Sequence, residues 1–203
     1  MSAAPAEVLE VPNGVLSRIR ESDAEAIGRA VSVSLDHLRP WMPWATPQAA
    51  EAEAQRSRCR EVGELWDGGT EYSYVLRPES SDEVIGCFGL HRRIGPGAIE
   101  IGYWVHAGFT GRGYATACAR ALTEAGLGLA DVQRVEIHTD EANTISAAIP
   151  QRLGYRLDRI DNRVPEAPSE TGRMQIWITD QAPDAWLPQP SAARTRRRVS
   201  VRQ

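Results

Sequence analysis

Lysine is absent: all 23 basic residues of the 203-residue chain are arginine. That excludes chemistry resting on a lysine amine, such as a Schiff base or the lysine of a Walker phosphate loop. Cysteine is scarce, with Cys59, Cys87 and Cys118 widely spaced and no CxxC pair. A zinc ribbon or thioredoxin-type site therefore has no support, no metal is expected, and the three read as free, mostly buried thiols. Long apolar runs are also missing. No stretch approaches the ~18 uncharged apolar residues of a membrane helix. The opening MSAAPAEVLEVPN lacks the basic and apolar regions of a secretory signal. The expected location is the cytoplasm, with no membrane partner.

What charge there is lies unevenly. Arg194, Arg196, Arg197, Arg198 and Arg202 fall in the last 13 residues, which carry no acid. The first 190 residues hold 18 Arg against 27 Asp and Glu, a balance of −9. An acidic body suits a cationic partner or substrate and disfavours broad nucleic-acid binding. The length argues for one domain. The expected division is an N-terminal arm at residues 1–14, a single domain at 15–187, and a basic, disordered tail at 188–203.

Hydrophobic periodicity alternates strands with helices. Val15 to Arg20 reads as a strand, and Asp23 as the cap of a helix bearing Ala26, Ile27, Ala30 and Val31. A Pro/Trp-rich loop, HLRPWMPW, follows at residues 37–44. Thr46-Pro47 is expected to start a second helix that runs to about Trp66. Strands are expected at residues 71–77, 84–91 and 98–105, a helix after Gly113, a strand at 134–139, a helix at 143–153, and strands at 155–160 and 174–179. Three short-linked strands argue for an antiparallel meander, and strand–helix–strand for a parallel crossover. The fold class is α/β (α+β) with a mixed sheet.

The sharpest local signal is Thr110-Gly111-Arg112-Gly113-Tyr114-Ala115, between a strand and a helix. Glycines allow positive φ and close backbone approach, and a helix N-terminus offers unpaired N–H groups to phosphate. No GK[ST] follows, so it is not a P-loop, and the third glycine of a Rossmann fingerprint is missing. Further along stand Asn143-Thr144-Ile145-Ser146 and Arg152-Leu153-Gly154-Tyr155. Together with Leu38-Arg39-Pro40-Trp41-Met42-Pro43-Trp44, Glu100-Ile101-Gly102-Tyr103-Trp104-Val105 and Ile176-Trp177-Ile178, this order resembles the GNAT superfamily of N-acetyltransferases. Within it, the resemblance is to the RimJ/RimL-like branch, which includes the ribosomal-protein N-terminal acetyltransferases.

The resemblance implies a mostly antiparallel sheet of about seven strands flanked by about four helices, and acetyl-CoA as cosubstrate. It implies that backbone amides of Gly111, Arg112, Gly113, Tyr114 and Ala115 hold the CoA pyrophosphate. Trp104, Val105 and His106 would pair with the pantetheine arm, with the Val105 amide at the oxyanion. Asn143 would contact the pantetheine and Ser146 would sit near the thioester sulfur. Two departures stand out: Thr110 replaces the usual Gln or Arg, and Pro150 interrupts the second helix.

Acetyl transfer needs a neutral amine, whereas amines with pKa values of ~8–10 are largely protonated at neutral pH. A base is therefore expected. Glu100 is the first candidate, sharing a strand face with Gly102 and Trp104. His138 is the second, and the resemblance implies that the loop carrying Glu166 and Glu170 shapes the acceptor pocket. Ser146 could donate to the leaving thiolate. Trp41, Trp44 and Trp66 could wall the acceptor pocket. The expected acceptor is an amine-bearing small molecule or a protein N-terminus, and a homodimer is allowed. A non-catalytic acyl-CoA-binding module on the same fold, and a tail-driven nucleic-acid-associated protein, are the competing readings.

Overall fold

The computed structural model describes residues 4–183. There the alternations resolve into β1 (Val8–Val11), β2 (Gly14–Arg18), α1 (Ala24–Leu38), α2 (Ala52–Asp67), β3 (Glu71–Pro78), β4 (Gly86–His91), β5 (Ala98–Val105), α3 (Tyr114–Leu127), β6 (Arg134–Asp140), α4 (Thr144–Arg152), β7 (Arg156–Asn162) and β8 (Arg173–Thr179). The sheet order is β1-β2-β3-β4-β5-β6-β8-β7. Every neighbouring pair is antiparallel except β5 and β6. The meander and the parallel crossover are both present. The expected tail at 188–203 lies outside the described residues.

Among the described residues the sheet has eight strands rather than about seven. The extra strand, β1, lies in the segment expected to be an arm. Four residues are too few to show a period, and β1 exists because the Pro12-Asn13 turn folds it back on β2. Asn13 takes the left-handed conformation, φ 63°, that closes this turn.

Two expected caps act otherwise. Asp23 is buried, and its carboxylate accepts from the Arg20 N–H at 2.7 Å and from Arg77 at 2.7 Å rather than from α1. Thr46 Oγ1 accepts from Ala49 N at 3.2 Å, capping a short 3-10 turn at Gln48–Ala50. Glu51 is then extended, so α2 begins only at Ala52. Pro150 lies buried within α4, which ends two residues later. Its missing N–H removes one helical bond.

Side chains on opposite faces of the sheet feed two cores. Ile99 and Ile101 of β5 pack with Cys118, Ala119 and Leu122 of α3. Trp104 joins Val75 of β3 and the apolar faces of α1 and α2. The three cysteines are free. Among the described residues, no helix is long and apolar enough to cross a membrane.

Candidate active site

The parallel contact between β5 and β6 lasts three residue pairs, from Ala98↔Arg134 to Glu100↔Glu136. Beyond Glu100 the strands part, while β5 stays paired to β4 and β6 to β8. The result is a split that opens toward the loop before α3. Successive strand residues turn their N–H and C=O to opposite sides. His106 N donates to Ile85 O of the β4 side at 2.9 Å. By alternation, the backbone groups of Val105, Tyr103 and Ile101 face the split. Of Trp104, Val105 and His106, only Val105 thus offers its amide there. The Trp104 side chain is buried against Trp44, ring centroids 6.2 Å apart, and His106 Nδ1 accepts from Gly108 N at 2.9 Å.

Below the split, Gly111 and Gly113 have φ of 71° and 85°, and Gly113 is the N-cap of α3. A Cβ at either would meet nothing within 4 Å, so the backbone faces open space. The first-turn N–H groups of α3, including those of Tyr114 and Ala115, have no acceptor within their own helix and carry its positive dipole end. Arg112 donates to Gly108 O at 2.8 Å and its guanidinium lies 4.7 Å from the Phe109 ring centroid. Thr110 donates to Ala107 O at 3.1 Å, closing the turn locally. The open cradle, the amides and the free β5 edge together fit a pyrophosphate with an extended arm.

On the α3/α4 side of the split, Tyr103 Oη and Ser146 Oγ lie 3.1 Å apart. Tyr103 stacks on Phe88, and burial pushes its pKa up to about 12, so it stays a proton donor. Asn143 Oδ1 accepts from Ser146 N at 3.2 Å, committing that oxygen to capping α4. Asp140 fixes the whole turn. Its carboxylate accepts from Ala142 N, Thr171 N, Thr171 Oγ1 and Gly172 N, all at 2.9–3.2 Å. These bonds outweigh its burial and hold its pKa below the ordinary value.

The opposite face carries the ionisable groups. Glu71, His91, Glu100 and Glu136 are cross-strand partners in one row over β3, β4, β5 and β6. Glu100 is 7% exposed, and both its oxygens accept from Arg93 at 2.7 Å. Burial alone would raise its pKa, but Arg93, with His138 and His91 nearby, brings it below the ordinary value. His138 Nε2 lies 2.7 Å from Glu136 Oε2, and Nδ1 lies 3.9 Å from Glu100 Oε2. Glu136 is held on its other oxygen by Arg134 at 2.7 Å.

Trp41 and Trp44 lie in the turn after α1, Trp44 against Trp104. Trp66 does not join them: it is buried against Tyr72 and Tyr74, with centroids at 5.3 and 5.0 Å. It sits on the last turn of α2, where the apolar stripe meets the sheet end. Ser169 N donates to Pro40 O at 2.9 Å, so the loop before β8 touches the turn after α1. Glu166 is exposed, and Glu170 accepts from Glu166 N and Ala167 N, so it braces the loop. Arg93, His91 and Glu136 join the site without having been singled out by motif, and Tyr103, inside the EIGYWV segment, gains its place in the site from its contact with Ser146. The register that aligns His91 with Glu100 has no local signature. Among the described residues, no group of three or more His, Cys, Asp or Glu side chains is placed to hold a metal ion.

Residues 15–156 match an acetyltransferase (GNAT) domain family. No curated protein sequence matches the chain. Several solved structures share its fold. One is RimL, a ribosomal L7/L12 alpha-N-protein acetyltransferase in complex with coenzyme A, at 21% identity and TM-score 0.77, covering 88% of this chain and all of that one. A second is RimJ of Mycobacterium smegmatis in complex with CoA-disulfide, at 23% identity and TM-score 0.75, covering 85% of each. A third is the microcin C7 self-immunity acetyltransferase MccE in complex with acetyl-CoA and AMP, at 17% identity and TM-score 0.74, covering 83% of this chain and 93% of that one.

Proposed function

The chain belongs to the GNAT acetyltransferase family, and on that premise we propose that it moves the acetyl group of acetyl-CoA onto a primary amine by direct attack with general-base assistance. It is an acetyl-CoA-dependent N-acetyltransferase, and the acceptor class is a protein N-terminus or a small-molecule amine. The observation that carries the reading is the split between β5 and β6 above an open glycine cradle. It gives the donor a backbone edge at Val105 and a phosphate site at Gly111–Ala115. The free thiols suit the cytoplasm.

The two faces of the split divide the work. Tyr103 and Ser146 stand on one, where the sulfur would lie, and the ionisable row stands on the other, where the amine would enter. Trp44, packed on buried Trp104, supplies aromatic surface on that side, which favours a cation at close range. Glu100 is poorly made for direct proton removal: Arg93 occupies both oxygens and its pKa is lowered. We expect it to act through water or its neighbours.

The reading is tested by thiol release from acetyl-CoA against a panel of free-N-terminus peptides, polyamines and aminoglycosides. Transfer to at least one is expected. CoA binding without transfer to any amine would favour the non-catalytic module. Within this scheme Ser146→Ala should lower kcat by about tenfold or less, because a thiolate whose thiol has a pKa near ~8.5 is readily protonated by Tyr103 or water. Glu100→Gln should also cost roughly tenfold or less, short of the 10²–10⁴ of a direct base. Steady-state kcat for both variants at saturating acetyl-CoA checks this. A fall of 10²-fold or more for Glu100→Gln, with loss of the acidic limb, would return Glu100 to the direct role.

A further inference from the structure

We propose that His91 is the base that takes the proton of the acceptor amine, oriented by Glu71 and reaching the amine over the bare backbone of Gly89 and Gly102. The assignment rests on the acetyl-transfer reading above and names the proton acceptor that reading requires.

The row of ionisable side chains leaves one nitrogen in a position to act. Glu71 is engaged on both oxygens, by Ser73 Oγ at 2.6 Å and Arg58 at 2.7 Å on one and by His91 Nδ1 at 3.2 Å on the other. Glu100 is engaged twice by Arg93, and Glu136 by Arg134 and His138. His138 lies between two carboxylates. His91 Nε2 has no hydrogen-bond or ion-pair partner among the described residues. Nδ1 faces the Glu71 carboxylate at 3.2 Å, and in the neutral tautomer that carries its proton on Nδ1, Nε2 presents the lone pair. Glu71 is itself held by Ser73 and Arg58, so the ring has a fixed support.

The position of Nε2 depends on two glycines. Gly89 and Gly102 face each other across β4 and β5. A methyl at Gly102 would stand 3.1 Å from His91 Nε2, and one at Gly89 would stand 2.7 Å from it. A side chain at Gly89 would force the ring to move, and one at Gly102 would press against it. Gly102 also lies between Glu100 and Trp104 on its face of β5, just beyond the pair at which β5 and β6 part. His91 therefore borders the place from which an amine would approach the split. Its side chain is 16% exposed, reachable yet shielded. The charged groups around it are Glu71 of β3, Glu100 of β5, Arg58 of α2 behind Glu71, and Arg93 of the β4–β5 turn, with His138 of β6 beyond Glu100.

His91 Nε2 takes one proton from the acceptor's ammonium, and the neutral nitrogen forms the new C–N bond as the thioester C–S bond breaks. A second proton passes from that nitrogen to the departing thiolate, with Tyr103 and Ser146 at hand. The imidazolium then gives its proton to solvent.

The test measures kcat against pH at saturating acetyl-CoA for wild type, His91→Gln and His91→Ala, using the fastest acceptor of the panel. Thermal melting and acetyl-CoA affinity serve as folding controls. Both variants should remain folded and bind acetyl-CoA normally, lose about 10²-fold or more in kcat, and lose the acidic limb of the profile. Added imidazole should restore part of the rate of His91→Ala, which a packing role would not allow. Wild-type kcat and limb in His91→Gln would overturn the assignment. So would a rate loss in His91→Ala that keeps the acidic limb and resists imidazole. If the wild-type protein acetylates no amine, the acetyl-transfer reading fails first and this assignment falls with it.

Discussion

Gly113→Val is expected to abolish the thermal protection that CoA gives this protein. A ligand that binds only the folded state stabilises it by about 2.7 kcal/mol at a hundredfold excess over Kd. For a domain of this size that is a rise of roughly 5–10 °C in Tm. Gly113 sits at φ 85°, at the N-cap of α3, with nothing within 4 Å of the Cβ it lacks. Valine would place its branches in the space before the α3 amides and would strain the backbone by about 1–2 kcal/mol. The variant should melt a few degrees below wild type without ligand and show almost no further shift with CoA. A folded variant with the full wild-type shift would place the phosphate site elsewhere.

Acid should destabilise the protein in part through Glu71. Burial alone would raise the pKa of this carboxyl, but contacts from His91 and Ser73, with Arg58 nearby, lower it from 4.5 to about 2. A group depressed in the folded state contributes its full stability above the unfolded pKa and loses it as pH falls toward the folded one. The window is therefore from about pH 4.5 down to about pH 2, and the contribution lost is about 3 kcal/mol. Glu71→Gln should be less stable at neutral pH by a comparable amount and should show a flatter fall across that window. Denaturant melts of both proteins between pH 6 and the acid limit check this. Parallel curves would show that Glu71 does not carry the acid sensitivity.

Much of the fold was legible in the sequence because its signals are local. The alternation in AIEIGYWV, the caps and breakers around the helices, and the glycines before α3 each act within a few residues. Order along the chain was then enough to expect a meander followed by a crossover. The misses have the same origin. β1 is too short to carry a period and is held by pairing, Trp66 was assigned by residue type rather than by the end of the helix it closes, and Asp23 binds Arg77 from another element.

By itself the sequence determined the glycine turn before α3: glycine at 111 and 113 is the residue type that positive φ demands, whatever surrounds it. It also determined which face of β5 carries Glu100, since side chains alternate along any strand. Only the tertiary structure decided what Glu100 can do. The Arg93 that occupies its oxygens approaches from the β4–β5 turn, and the His91 beside it is set by cross-strand register, which shifts every neighbour by its full side-chain pattern if it slips one residue. The split that exposes Val105, and the meeting of Tyr103 with Ser146, likewise follow from where two parallel strands stop pairing. Hydrogen bonding between distant segments settles that point, because no single segment contains both partners.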